Sequence, residues 1–505
     1  MNQTRDLNWL DRTITWLFPR TGARRLAARA AIEVLASYEG AKVGRRTDGW
    51  ITSGADANAA IGGDLPRLRD RSRDLIRNNA HAARGKSVVT CSTVGTGIVP
   101  QADTGDPALD KTINGAFTAW GDECDADGQL DFFGLQRMWV EAIFESGETL
   151  VRRRLRRLSD GLYVPLQLQT LESDHLDLYA MANNSGGVTI QGVERDAIGR
   201  RSGYWLYPNH PGASAVATML NTAWQSKFVP ASEIAHGYRK TRPGQERGVP
   251  WLAPVMRLLR DMDEYAEAEI VRAKIAACPT LFVTQPEDMD GRGVGKATTE
   301  TATGERIEKM RPGMILYGRP GEDMKPFAPQ GHSNFAEFMK FMQHIAATGQ
   351  DLFYAQISGD LASVNWSSFR AGDRDFRAAI EAFRWLCVIP MLCRPVWRWF
   401  IDAAFLAGKI PVPNYGVSWT PPQFMSVNPE ADAASDEADL ANGTLTWDEA
   451  VARRGYDPTK QYEKILGFKQ KCDRDGLVFA WDRSKVTASG AKQVEAKQAQ
   501  RNGGN

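Results

Sequence analysis

The sequence predicts an α+β fold that is mainly helical. Short β-branched runs separated by turn signals fill 86–240, and apolar residues at helical spacing mark 248–278 and 367–408. With 505 residues, 43% hydrophobic and 24% charged, the chain is long enough for several parts around buried cores.

Taken in order, residues 22–40 hold good helix formers, with Leu26, Ile32, Leu35 and Ala36 on one face. The 64–84 stretch reads as a helix with Asp64 as N-cap and Pro66 in its first turn. Its arginines at 67, 69, 71, 73 and 77 are expected on a solvated or inter-subunit face, with phosphate contact as the alternative. Strands are expected in "SVVTCSTVGTGIVP", "ETLVRRRLRR", "LYVPLQLQTL", "GVTIQGVERD" and "SGYWLYP", with one helix near 129–146 interrupting them. Val255, Leu259, Met262, Ala266 and Ile270 trace one stripe of the helix within 248–278, whose middle is crowded with acids. Strand-and-turn structure is expected over 279–331 and a second helix over 334–349. A long helix kinked at Pro390 and Pro395 follows over 367–408. "NPEADAASDEADLANGTLTWDEAVARRGYDP" reads as two helices, the first ended by Asn442-Gly443 and the second capped by Thr446. The last twenty or so residues are polar, low in complexity and expected to be disordered.

Composition also excludes some functions. A net charge of +1 argues against a generic nucleic-acid binder, which needs a surplus of Lys and Arg on one face. It does not exclude a protein that DNA must pass without sticking. The six cysteines are scattered without CxxC spacing, which suggests neither a zinc site nor a disulfide framework, and a reducing compartment fits. The amphipathic N-terminus has no clean apolar core of a signal peptide, and "WLCVIPMLC" is too short to span a bilayer, so no membrane partner is expected.

Motifs for chemistry fail one by one. "RGKS" at 84–87 has Ala80 where a phosphate-binding loop needs glycine. "ECDADG" at 123–128 has Gly134 where a calcium loop needs its bidentate Glu. No HExxH occurs, the six histidines are dispersed, and no metal or other cofactor is expected. The stretch "SGDLASVNWSSFRAG" at 358–372 looks like an active-site loop, but no base accompanies its serines. The structural alternative is a turn allowed by Gly359 and a helix capped by Asn365 or Ser367.

Several stretches in order carry a resemblance: "LRDRSRDLIRNNAHA", "VGTGIVPQ", "LQTLESDHLD", "IQGVERDAIGRRSGYWLYPNHP", "EIAHGYRKTRPGQERGVPWLAPVMRLLRDMDEYAEAEIVRAKIAA" and "GDLASVNWSSFRAG". Together they resemble the lambda-type family of tailed-phage portal proteins over roughly 45–465. The resemblance implies a non-enzymatic subunit of a ring, a dodecamer, at one capsid vertex. Double-stranded DNA would be driven inward through its channel by the terminase large subunit and would later leave by the same route. It further implies contacts with the major capsid protein, scaffold and head-completion or adaptor proteins, in the virion and, during assembly, in the host cytoplasm.

On the family plan, 1–45 is an N-terminal helical extension, 46–247 the wing, 248–278 the first stem helix and 279–333 the clip. The second stem helix is 334–351, the tunnel loop 352–366, the spine helix and wing return 367–427, the crown 428–484 and a disordered tail 485–505. Ser358, Asp360, Ser363 and Asn365 would then line the channel. Ser367 and Arg370 would serve the helix start or an inter-subunit contact, and Asp261, Glu264 and Glu267 would make a repulsive wall. The rival class is a nucleic-acid-processing enzyme of a mobile element, a metal nuclease, which would need clustered carboxylates. A ring protein of a gene-transfer particle or prophage remnant is the third possibility.

Overall fold

Pro66 sits in the first turn of α1 (Leu65–Asn78), where its missing N–H costs nothing. Asp64 precedes that helix without a side-chain cap. Asn79 closes it and opens α2 (Ala80–Val94), its side-chain oxygen accepting from the Ala82 N–H at 2.8 Å. The structure, a computed structural model, describes residues 52–213, 225–276, 281–283, 315–317, 334–362, 365–424, 429–454 and 458–479, with a few single positions besides. The chain divides into two units, Met1–Asp56 and Ala57–Asn505. Nearly all of the first, including the helix expected over 22–40, lies outside the described residues, as do most of 279–333 and the tail after 486.

The β-branched run "SVVTCSTV", expected as a strand, is the second half of α2. Val89 and Val94 are buried, and the Thr93 hydroxyl returns to the Val89 carbonyl at 2.7 Å. Tertiary burial outweighs a propensity deficit of about half a kcal/mol per residue. Next come β1 (Val99–Ala102), α3 (Pro107–Gly121), begun by Asp106, and α4 (Phe132–Ser146), begun by Asp131, whose carboxylate accepts from the Gly134 N–H at 2.7 Å. Sequence periodicity had not indicated α3.

The strands β2 (Glu148–Leu155), β3 (Leu166–Leu171), β4 (Val188–Ile190), β5 (Val193–Arg195), β6 (Arg201–Leu206), β7 (Lys227–Pro230) and β8 (Ile234–Tyr238) make two antiparallel sheets. One has the order β3-β2-β8, the other β4-β5-β6-β7. "GVTIQGVERD" is a hairpin and not one strand, because Gln191 and Gly192 both take positive φ and turn β4 into β5. One face of β3-β2-β8 meets the main core through Val151, Leu166, Leu168 and Ala235. The other meets a smaller core through Leu150, Leu171 and Ile234, with Val193, Tyr204 and Leu206.

Then come α5 (Met256–Ala276), the parallel pair β9 (Leu281–Val283) and β10 (Ile315–Tyr317), α6 (Phe335–Thr348), α7 (Tyr354–Ser358) and α8 (Trp366–Phe383). The helix continues through Arg384–Cys393 in wider i→i+5 turns and returns to α geometry in α9 (Arg394–Leu406). Pro390 lies inside the wide segment, where its missing N–H is tolerated, and Pro395 opens α9. β11 (Val417–Thr420) pairs with β1, and α10 (Pro429–Asn442), α11 (Trp447–Arg453) and α12 (Pro458–Asp475) follow. Gly443 ends α10 at φ 71, and the Thr446 hydroxyl accepts from the Glu449 N–H at 3.2 Å, as expected. Trp120, Phe132, Trp139, Trp397 and Phe400 fill the main core, where Trp120 donates to the Leu166 carbonyl at 2.8 Å.

At the start of β2 lies a fully buried carboxylate, Glu148. Its Oε1 accepts from Arg69 Nη2 at 2.7 Å and Arg247 Nη2 at 2.6 Å, and its Oε2 from Gly248 N at 2.8 Å, with His236 Nε2 at 3.0 Å. Arg69 and Arg73 therefore leave the solvated face expected for the α1 arginines, and Arg73 reaches Glu172 at 2.9 Å and also Asp174. Gly147, at φ 89, is required because a Cβ there would come within 2.5 Å of the Val249 carbonyl carbon.

Burial alone would raise the Glu148 carboxyl, but Arg247, His236 and Arg69 hold it well below the carboxylate range. Burial pulls His236 below its ordinary 6.5 despite that carboxylate, and brings Arg69 to about 10, still charged at neutral pH. Both Glu148 and His236 thus bind protons more readily unfolded than folded. Stability is complete above His236's ordinary value, falls as pH drops through it, and falls again below the ordinary carboxylate value. The urea midpoint should be lower at pH 5.5 than at 7.5, and less so in His236→Gln. Glu148→Gln should cost about 3–5 kcal/mol, read from the same titration at pH 7.5, because it leaves two guanidiniums buried without their counter-charge.

Candidate channel loop and stem

The two helices of the expected stem run antiparallel. Tyr265 of α5 meets Phe335 and Phe338 of α6 at 5.4 and 5.3 Å, while Val255 and Gly349 adjoin at the other end. The apolar stripe of α5 is covered only in its first half. Val255, Leu259 and Met262 are buried, Ala266 is half-buried and Ile270 is 55% exposed. On α6, Phe338, Phe341 and Ile345 are exposed along one line of the helix.

Asp261, Glu264 and Glu267 recur every third residue on α5 and are all exposed. Glu264 accepts from Arg260 Nε at 2.8 Å, and Asp261 and Glu264 share a cavity of about 370 Å³ with Arg71, Arg257 and Arg260. Asp261 and Glu267 have no ion pair among the described residues.

The segment expected as a polar loop contains the short helix α7. Leu352, Ala355 and Ile357 are buried beneath it, and Arg84 of α2 donates to the Gln356 carbonyl at 3.1 Å. Tyr354 stacks on His344 of α6 at 4.3 Å, with Lys340 Nζ 5.4 Å from the same ring. Its hydroxyl donates to Asp360 Oδ2 at 3.3 Å. Asp360 Oδ1 accepts from Ala362 N at 3.0 Å, while Ser358 Oγ donates to the Tyr354 carbonyl and accepts from Asp360 N. Gly359, at φ 71, makes the turn that allows this.

The side-chain polar groups of Ser358 and Asp360 are thus engaged within the loop, and Leu361 beside them is 67% exposed. Asn365 is exposed and caps α8, its Oδ1 accepting from Ser368 N at 2.8 Å. Ser367 and Arg370 are exposed on the first turns of that helix, and Ser363 lies outside the described residues. The structure brings Ser358 and Asp360 together with Tyr354, which sequence reasoning did not include; an aromatic four residues before Ser358 was the available signal.

Among the described residues, one trio has metal-ligand geometry, Glu172, Asp174 and His210. The guanidinium of Arg73 already bridges its two carboxylates. His210 Nδ1 accepts from Gly212 N at 3.0 Å, so in the neutral ring the proton sits on the Nε2 that faces the acids. Arg73 thus already supplies positive charge at the two carboxylates of that trio.

The family model described as phage portal protein, lambda family, matches residues 43–384. The chain belongs to that family. It is a phage portal-vertex subunit, and the family is a structural one. The chain is 25% identical over 490 residues to a probable portal protein of Halomonas phage phiHAP-1, covering 93% of this chain and 92% of that one. A chain of the virion of a native gene transfer agent particle aligns at a TM-score of 0.41 and 16% identity, over 78% of this chain and 94% of the other. A chain from the neck of that native particle, at C12 symmetry, gives the same score and identity over 82% and 99%. The family match ends at the start of the wide-turn segment, short of the 465 expected, and the phage relative carries the likeness on toward the C-terminus.

Asn365→Ala should cost about 1 kcal/mol of stability through the lost cap, and Ser367→Ala close to nothing. Urea titration of the two single variants separates them. An equal loss in both would mean the helix is capped in another way.

Proposed function

We propose that this portal subunit closes into a ring, in the dodecameric form the family resemblance implies. Its channel would pass double-stranded DNA inward during packaging and outward during ejection, without an enzymatic step in the subunit itself. What supports the ring is the line of exposed apolar groups on the stem, Ile270 and Val271 on α5 and Phe338, Phe341 and Ile345 on α6. Side chains of this size in water along a helix pair are the mark of a face that a second copy covers.

On this proposal 46–247 is the wing, α5 and α6 are the stem, 279–333 the clip facing the terminase and head-completion proteins, and 428–484 the crown. The segment 352–366 is the tunnel loop, carrying Ser358, Asp360, Ser363 and Asn365. Ser367 and Arg370 serve the start of the spine helix, and Asp261, Glu264 and Glu267 form part of the wall. Capsid protein and scaffold would surround the ring in the assembling head, in the host cytoplasm and then in the virion.

Electron microscopy of the purified, concentrated protein should show rings with a central hole wide enough for duplex DNA. Phe341→Glu, on the exposed stem line, should abolish them while leaving the monomer folded by circular dichroism; intact rings would remove the stem from the interface. Deleting 359–364, which spares α7, should leave rings intact and reduce DNA packaging or retention in a complementation assay. Normally filled heads would count against the tunnel-loop role.

A further inference from the structure

The strand β2 begins with a buried carboxylate and ends in Arg152, Arg153, Arg154 and Leu155, and Arg156 and Arg157 follow directly after it. Register places Arg152 opposite Gln169 and Arg154 opposite Gln167, so these four share the sheet face that carries Leu150 and Ile234. Past the edge of the smaller core that face is open. Arg154 Nε donates to Gln169 at 2.8 Å and Arg156 Nε to Gln167 at 2.9 Å, neutral partners in both cases.

Glu233 reaches Arg152 only at 3.9 Å. Among the described residues no carboxylate lies within ion-pair distance of Arg153, Arg154, Arg156 or Arg157. Arg156 and Arg157 are exposed. Burial and then the like charges of Arg152 and Arg156 lower the Arg154 guanidinium from its ordinary value, the sign of a cationic array short of anions. In a chain of net charge +1, five guanidiniums within six residues are a segregated patch.

We propose that this open end of β2, with Arg152, Arg154, Arg156 and Arg157, binds the phosphate backbone of a nucleic acid by charge and without regard to sequence. Alternate residues of a strand stand about 6.6–6.8 Å apart, comparable with the spacing of successive phosphates along one strand of a nucleic acid. With each Nε of Arg154 and Arg156 held by an amide, the terminal nitrogens are set to fork onto phosphate oxygens. A protein partner would need an apolar anchor on the same face. The face of Arg152 and Arg154 offers guanidiniums and the amides of Gln169 and Gln167 instead; the exposed Leu155 belongs to the opposite side, across from Leu166, and the exposed Leu158 lies beyond the strand. This surface is independent of the ring proposal, because it is present in a single subunit.

The test is fluorescence anisotropy of the full-length protein with a labelled duplex of about 30 base pairs and arbitrary sequence, titrated between 50 and 200 mM salt. The triple variant Arg154→Gln, Arg156→Gln, Arg157→Gln should bind at least tenfold more weakly at low salt. Its slope of log affinity against log salt should flatten by about 2–3, one unit or slightly less per lost phosphate contact. The corresponding triple lysine variant should keep most of both.

Unchanged binding by the glutamine variant would overturn the proposal. So would wild-type protein preferring labelled polyglutamate to the duplex, which would make the surface a site for an acidic protein. If the triple variant fails to fold, Arg157→Gln alone, at an exposed position, should lose twofold to fivefold, and no loss there would be equally fatal. Electron microscopy of the same preparations separates this result from ring closure, which none of these substitutions should alter.

Discussion

A buried carboxylate that must be neutralised from four directions organises this subunit. Glu148 receives hydrogen bonds from Arg69 on α1, Arg247 and Gly248 in the segment before α5, and it faces His236 on β8. Burying an ion is unfavourable, and apolar groups of the same volume would often stabilise a core as well or better. What an apolar substitute would not supply is direction. The fork of Arg247 and the backbone donor of Gly248 fix the chain as it leaves β8 and approaches α5. Gly147 belongs to the same constraint, since the strand start and the 248–250 segment approach too closely for any side chain. The approach to α5 is thus set by ionic geometry.

The sheet β3-β2-β8 stands between two cores, and this explains why the spine helix is built as it is. Its wide-turn segment packs on β8, with Leu392 against Gly237 and the Cys387 thiol 3.2 Å from the Tyr238 carbonyl. A regular α-helix would meet the ring of Pro390 with a steric clash one turn back. The i→i+5 turns absorb that residue, and Val388, Ile389, Leu392 and Cys393 remain buried along the same helix. Trp397 and Phe400 then reach Phe117 and Trp120, joining α9 to α3 in one aromatic cluster. The sheet β3-β2-β8, α3 and α9 therefore share one hydrophobic core with the wide-turn segment.

Much of this was legible from local pattern. The alternation in "LQLQTL", the cap at Thr446, the glycine stop at 443 and the two stem helices each rest on residues within a few positions of one another. The Glu148 network was not legible, because its members lie 79, 88 and 99 residues apart, and nothing in the α1 run tells Arg69 from the exposed arginines beside it. The strand expected at 87–94 failed for the converse reason. Val89, Thr93 and Val94 have strand chemistry, but burial against α4 determined their geometry. At the candidate channel loop the residue types were identified and their engagement was not, since Tyr354 and His344 come together only in three dimensions.

That engagement changes what the loop can do in the proposed channel. A lumen lined with free hydroxyls and carboxylates would offer passing phosphates fixed points to bind or to repel. Here Ser358 and Asp360 turn their hydrogen-bonding groups toward Tyr354 and the local backbone, and the exposed side chain beside them is Leu361. An apolar side chain in that place would touch DNA at many positions with little difference in energy between them. The α5 face behaves in a related way, since Arg260 pairs with Glu264, leaving Asp261 and Glu267 without an ion pair among the described residues. Weak and nearly uniform contact is the condition for a polyanion to slide. The arginines at the end of β2 have the opposite character, dense and, apart from the Arg152–Glu233 contact, without ion pairs among the described residues, and a surface of that kind suits holding nucleic acid in place.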